Sequence, residues 1–150
     1  MIIIQPHPAK IHDGLVNAKT YPWWPELIKL LKNQYIIQIG IDGEEQLVPN
    51  FRKDLKLSEI TDLVNMSYFW LSIDSFLPHL AHHIRKPGVV LWGVSDPLIF
   101  GYEENLNLLK DRKYLRANQF GIWNEQSYVG SAFLEPSIVY ERIKEIYPDV

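Results

Sequence analysis

The stretch FWLSIDSFLPHLAHHIRKPGVVLWGVSDPLIFGY, residues 69–102, holds two short apolar runs with a helix-spaced segment between them. Phe69 to Ile73 and Val89 to Trp92 are apolar on both alternations and bounded by breakers, the pattern of strands buried on both faces of a parallel sheet. Each is too short to be a helix. Leu77 to Ile84 has helical spacing, and Pro87 forces a stop before the second strand. Strand, helix and strand in this order make a parallel crossover unit, with Asp74 and Ser75 where the first strand turns into the helix.

Outward from this unit the same alternation continues. Ile2 to Gln5 and Tyr35 to Ile39 read as two more buried strands. Trp24, Leu27, Ile28, Leu30 and Leu31 form an apolar stripe after Pro22 and Pro25, and Leu57, Ile60, Leu63 and Val64 form another after Leu55. Pro136, favourable at a first helical position, opens a last helix through Ile138, Val139, Ile143 and Ile146. The order predicts an α/β fold: a Rossmann-like, doubly wound parallel sheet with helices on both faces. Between Tyr102 and Gly130 one further strand is predicted around Tyr114 to Ala117.

Composition narrows the class. A length of 150 residues suits one core, and no linker or repeat divides the chain, so residues 1–150 read as one domain. With 47% hydrophobic and 22% charged residues, the chain lies far from the composition of disorder. A net charge of −3 gives no overall reason to bind nucleic acid or an anionic membrane, so any anion must be captured by a local site. The absence of cysteine removes disulfides and thiolate chemistry and fits a cytoplasmic setting. MIIIQPHPAK is too short in apolar residues for a signal core or a membrane span, so a soluble, unexported protein is expected.

Ligands of doubly wound sheets sit beyond the carboxyl ends of the strands. That rule selects Pro6 to Lys19, Gly40 to Glu45, Asp74 to His79 and Gly93 to Gly101. At Asp74 and Ser75 the free N–H groups of a helix start point into the cleft with the positive end of the helix dipole behind them, which favours an anion. His79, one turn along, can donate a hydrogen bond to a phosphate oxygen. The plain alternative makes Asp74 or Ser75 an N-cap and His79 a core histidine. His79 and His83 have the spacing by which two imidazoles share a metal, but no HExxH glutamate accompanies them, and no metal site is expected. Tyr21, Trp23, Trp24 and Trp123 lack a basic groove and read as core or partner packing rather than base-stacking platforms.

Asp74, Ser75, His79 and Ala81, followed by Pro87, an apolar strand and Gly93, Val94, Ser95, Asp96 and Pro97, resemble the signature of the heptosyltransferase-like glycosyltransferases, glycosyltransferase family nine. The likeness extends to NAKTYPWWPELIKLL, to IGIDGEEQLV, to the segment before Phe69 and to LEPSIVYERIKEI, nearly the whole chain. It covers only the C-terminal, nucleotide-sugar-binding half of a two-domain GT-B enzyme. The resemblance implies that Asp74, Ser75 and His79 line the diphosphate of a sugar nucleotide, that Lys19 neutralises charge on the leaving nucleotide, and that Glu45, with Glu44 beside it, lies near the ribose. Leu55, Phe76 and Asp96 complete the implied substrate-binding set. Phe76 replaces the family's glycine, and its ring either narrows the pocket or stacks on a base or sugar. His82 and His83 replace small alanines.

The family takes its catalytic base from the absent half. Here Asp13, His7 and His12 occupy the loop after the first strand, and Asp13 with Lys19 forms the candidate catalytic pair. The implied activity is metal-independent, cofactor-free glycosyl transfer from a nucleotide diphosphate sugar. Its acceptor site would come from another subunit, as a homo-oligomer or with a partner protein. The competing reading is a non-catalytic module for nucleotide binding or assembly, and a third keeps only the fold and another phosphorylated ligand.

Overall fold

The computed structural model describes residues 1–11 and 14–150. Strand β1 (Ile2–Gln5) is followed by helix α1 (Trp24–Leu30), β2 (Ile36–Gly40), β3 (Phe51–Lys53), α2 (Leu57–Met66) and β4 (Phe69–Ile73). Then come α3 (Phe76–His83), β5 (Val89–Trp92), α4 (Pro97–Phe100), β6 (Leu106–Leu109) and α5 (Pro136–Ile146). The strands form a six-stranded sheet in the order β3-β2-β1-β4-β5-β6, and every pair is parallel. This is the doubly wound order in which the winding reverses between β1 and β4.

Alternating side chains divide the core in two, because successive residues of a strand point to opposite faces. Ile2, Ile4, Phe69, Leu71, Val89 and Leu91 pack with Trp24 and Leu27 of α1 and Val139 and Ile143 of α5. Ile3, Ile37, Trp70, Val90 and Trp92 pack on the other side with Val64 of α2 and Leu77 and Ala81 of α3. Helices therefore cover both faces, as the apolar runs require. Tyr21 is buried and meets Trp23, Trp24 and Phe133 edge-on, which bears out a core role for this aromatic group. Among the described residues no helix is long and apolar enough to cross a membrane.

Several expectations are corrected. The strand expected at Tyr114 to Ala117 is absent; Asp111 accepts from the Lys113 N–H and caps a 3₁₀ turn over Arg112–Tyr114 instead. The sixth strand lies earlier, at Leu106–Leu109, and β3 has no counterpart among the apolar runs of the sequence. Helix α3 does end before Pro87 as expected: Arg85 takes the left-handed conformation at φ 58°, and the Lys86 N–H returns to the Ala81 carbonyl at 2.9 Å. The Asp96-Pro97 turn is a short helix, α4, whose N-cap is Asp96.

Candidate functional site

The reversal between β1 and β4 opens a crevice at the carboxyl ends of the strands, and the register sets Gln5 beside Ser72 at its floor. A cavity of about 610 Å³ lies there, with Lys19, Glu44, Asp74, Ser75, Phe76 and Trp123 in its wall. Four of the residues expected to bind substrate, Lys19, Asp74, Ser75 and Phe76, thus meet in one place. His79 lines an adjoining recess with Lys19, Asp74 and Trp123.

Lys19 and Asp74 form an ion pair, Nζ to Oδ2 at 2.9 Å, with side chains 20% and 9% exposed. The lysine arrives there through Asn17, whose Oδ1 accepts from the Lys19 N–H at 3.0 Å while its amide donates to the Ala9 carbonyl. The ammonium also lies 4.6 Å from the centroid of the Trp123 ring, a cation–π distance. Arg116 stacks on the same ring at 4.1 Å. Desolvation pushes the Arg116 guanidinium below its ordinary range. Trp123 therefore lines the cleft instead of serving as core or partner packing alone.

The start of α3 offers fewer donors than its position promised. Pro78 has no N–H, and the Leu77 N–H is taken by Gln5 Oε1 at 3.3 Å. The same oxygen accepts from the Ser75 hydroxyl at 2.6 Å and from the Ser72 hydroxyl at 3.2 Å. Ser75 is the N-cap without a capping side-chain bond, because its hydroxyl turns to Gln5. Gln5 is thus a site residue beyond those the sequence pointed to. Its signal was its place as the polar end of an apolar strand, next to the reversal in strand order.

Glu44, not Glu45, reaches the main cavity. Its Oε2 accepts from the Ile41 N–H at 3.0 Å, in space that a Cβ on Gly40 would enter at 2.0 Å. Glu45 lies in a neighbouring groove, its carbonyl accepting from Gln38 Nε2 at 2.8 Å and from His7 Nε2 at 2.9 Å. Leu55 packs against the core beneath α2 and α3, away from the cavity. Asp96 is buried and occupied: Arg112 grips both carboxylate oxygens, at 3.0 and 2.7 Å, and Oδ1 also accepts from the Leu98 N–H. The guanidinium holds the Asp96 carboxyl below the usual carboxylate range. Asp13 and His12 lie outside the described residues.

His79 Nδ1 meets the Tyr102 hydroxyl at 2.7 Å, and His82 pairs with Glu104, so these two histidines of α3 hold the loop after α4. Among the described residues no group of three His, Cys, Asp or Glu is placed to hold a metal ion. What the cleft presents is a lysine beside a helix start, two aromatic rings, two carboxylates and an imidazole. These groups suit a phosphorylated ligand with an apolar or planar portion.

In fold, the chain is similar to the E. coli heptosyltransferase WaaC, solved with ADP, at a TM-score of 0.64 and 21% identity. The match covers 96% of this chain and 43% of the heptosyltransferase, so the chain spans less than half the length of that enzyme. The architecture is that of one half of a GT-B glycosyltransferase, as the signature resemblance implied. No protein-family model and no curated protein sequence matches the chain.

Proposed function

We propose that the cleft binds a nucleoside diphosphate sugar and that the protein transfers, or helps transfer, the sugar to an acceptor held by a second subunit or a partner protein. The observation that carries this reading is the convergence of Lys19, Asp74, Ser75 and Phe76 on one cavity at the reversal point of the sheet. When the bond from the anomeric carbon to the diphosphate oxygen breaks, negative charge grows on that oxygen and needs fixed positive partners. Lys19, the N–H groups left at the start of α3 and the His79 imidazole would meet it without a metal. A charge-assisted hydrogen bond of this kind contributes about 1.5–3 kcal/mol. Glu44 would take ribose hydroxyls on the acceptor sites its bond to the Ile41 N–H leaves, since a carboxylate accepts several hydrogen bonds. The fold neighbour, a heptosyltransferase solved with ADP, supports a nucleotide as the ligand. A cytoplasmic setting fits the cysteine-free chain.

A second reading, a non-catalytic binding or assembly module, has its own support. Among the described residues, both carboxylates in the wall of the main cavity already hold a partner, Asp74 the Lys19 ammonium and Glu44 the Ile41 N–H, so neither stands as an uncommitted general base. A transfer assay with a panel of nucleotide sugars, run on each oligomeric form and monitored for released nucleoside diphosphate, separates the two. Turnover supports the enzyme, and tight binding without turnover supports the module. Failure to bind any nucleotide sugar would leave only the fold.

A further inference from the structure

Helix α3 carries three histidines, and two of them engage the same loop. His79 Nδ1 is 2.7 Å from the Tyr102 hydroxyl, and the two rings stand nearly perpendicular, at 84°. His82, one turn-face away, lies flat on the Tyr102 ring, with centroids 3.9 Å apart and planes 11° from parallel. His82 Nδ1 is in turn hydrogen-bonded to Glu104, which holds the Glu104 carboxyl below the usual carboxylate range. The loop backbone is pinned as well, since the Asn107 side-chain amide donates to the Tyr102 carbonyl at 2.8 Å. Apart from its bond to His79, Tyr102 is therefore held in place by His82 and Asn107, neither of which lines the cleft.

A neutral imidazole carries one proton, and the partner of one nitrogen decides which nitrogen has it. A phenol is a better donor than acceptor, because its oxygen lone pair is delocalised into the ring. Among the described hydrogen bonds, His79 Nδ1 is the one acceptor that the Tyr102 hydroxyl reaches. With Nδ1 accepting, the proton resides on Nε2, so the nitrogen left to a ligand in the recess that His79 lines with Lys19 and Asp74 is a donor rather than a lone pair. We propose that Tyr102 is a positioning residue: it fixes His79 in the Nε2–H form, so that the imidazole presents a hydrogen-bond donor to a phosphate oxygen. This rests on the reading of the cleft as a diphosphate site. It is the same device by which a second partner orients histidines that ligate metals.

The test is a long-range proton–nitrogen NMR spectrum of the ligand-free, nitrogen-15-labelled protein, at a pH above the ordinary imidazole range, paired with calorimetric titration by ADP and UDP. The wild type should show His79 in the Nε2–H form, and Tyr102→Phe should lose that preference while the circular dichroism spectrum stays unchanged. Tyr102→Phe should weaken nucleotide binding about three- to tenfold, the scale of one ordinary hydrogen bond. On a His79→Ala background the same substitution should cost nothing further. An Nδ1–H wild type, an unchanged tautomer in Tyr102→Phe, or an undiminished cost on the His79→Ala background would each overturn the assignment. If neither nucleotide binds the wild type, the diphosphate reading itself falls, whereas the ligand-free spectrum still judges the role of Tyr102.

Discussion

Replacing Lys19 by Met separates the two duties of the ion pair in the cleft. The substitution keeps the length and apolar stem of the side chain and removes the charge 2.9 Å from Asp74. Asp74 is 9% exposed, so its carboxylate would be left largely desolvated without a partner, while Lys19 at 20% exposure keeps some contact with water. Losing a hydrogen bond to a charged group costs about 1.5–3 kcal/mol, below the cost of breaking a fully buried pair. For a chain of this size that corresponds to a fall in melting temperature of about 3–12 °C. Binding of ADP or UDP should weaken by about 10- to 100-fold, because the phosphate loses a cation and faces an uncompensated Asp74. The decisive variant is the double substitution Lys19→Met, Asp74→Asn, measured by thermal melting and by calorimetric titration. It should recover most of the stability, since no unpaired charge remains, and little of the affinity. If it recovers both, Lys19 serves only to neutralise Asp74; if Lys19→Met binds nucleotide as the wild type does, the lysine has no part in capture.

Three further outcomes follow from single contacts. Gly40→Ala should lower stability only modestly, because its Cβ would strike the movable end of Glu44 and press the Phe51 ring edge at 3.1 Å, yet it should weaken nucleoside diphosphate more than inorganic pyrophosphate by displacing that carboxylate; equal effects on both, read by titration, would remove Glu44 from the ribose. Gln5→Met should lower stability by about 1 kcal/mol in urea unfolding, since the Ser75 hydroxyl and the Leu77 N–H lose a part-buried acceptor. Asp96→Asn should melt lower than the wild type at neutral pH. Because Arg112 lowers the folded-state pKa of Asp96, its contribution is present above the ordinary carboxylate pKa and is lost as pH falls through the lowered value. The gap between the two proteins should therefore be constant near neutrality and close in acid, and a gap independent of pH would refute the pairing as its source.

Much of the fold was legible because the central strands are buried on both faces and so appear as continuous apolar runs. The edge strands had no such signature. Phe51–Lys53 is half-exposed to exposed, and Leu106–Leu109 has only Leu108 fully buried, so neither needed an apolar sequence. Tyr114 to Ala117 looked more like a strand than either, but Asp111 turned the chain just ahead of it. The site divides the same way. Asp74, Ser75 and His79 were readable because strand ends and helix starts are marked in the chain itself, and Lys19 because its segment resembles the family's. Gln5, Trp123 and Tyr102 were not, since each gains its role across the fold: Gln5 meets Ser75 from 70 residues away, and Tyr102 meets His79 from 23. Asp96 shows the reverse, a residue marked by its motif whose oxygens are claimed by Arg112.

The account depends most on what occupies the crevice between β1 and β4. Its most direct test is a crystal structure of the protein with ADP or UDP at saturating concentration. The diphosphate should lie at hydrogen-bond distance, about 3 Å, from Lys19 Nζ and the Phe76 N–H, with the ribose toward Glu44. Phosphates bound elsewhere on the surface, or an empty crevice at a concentration that saturates binding in solution, would contradict it.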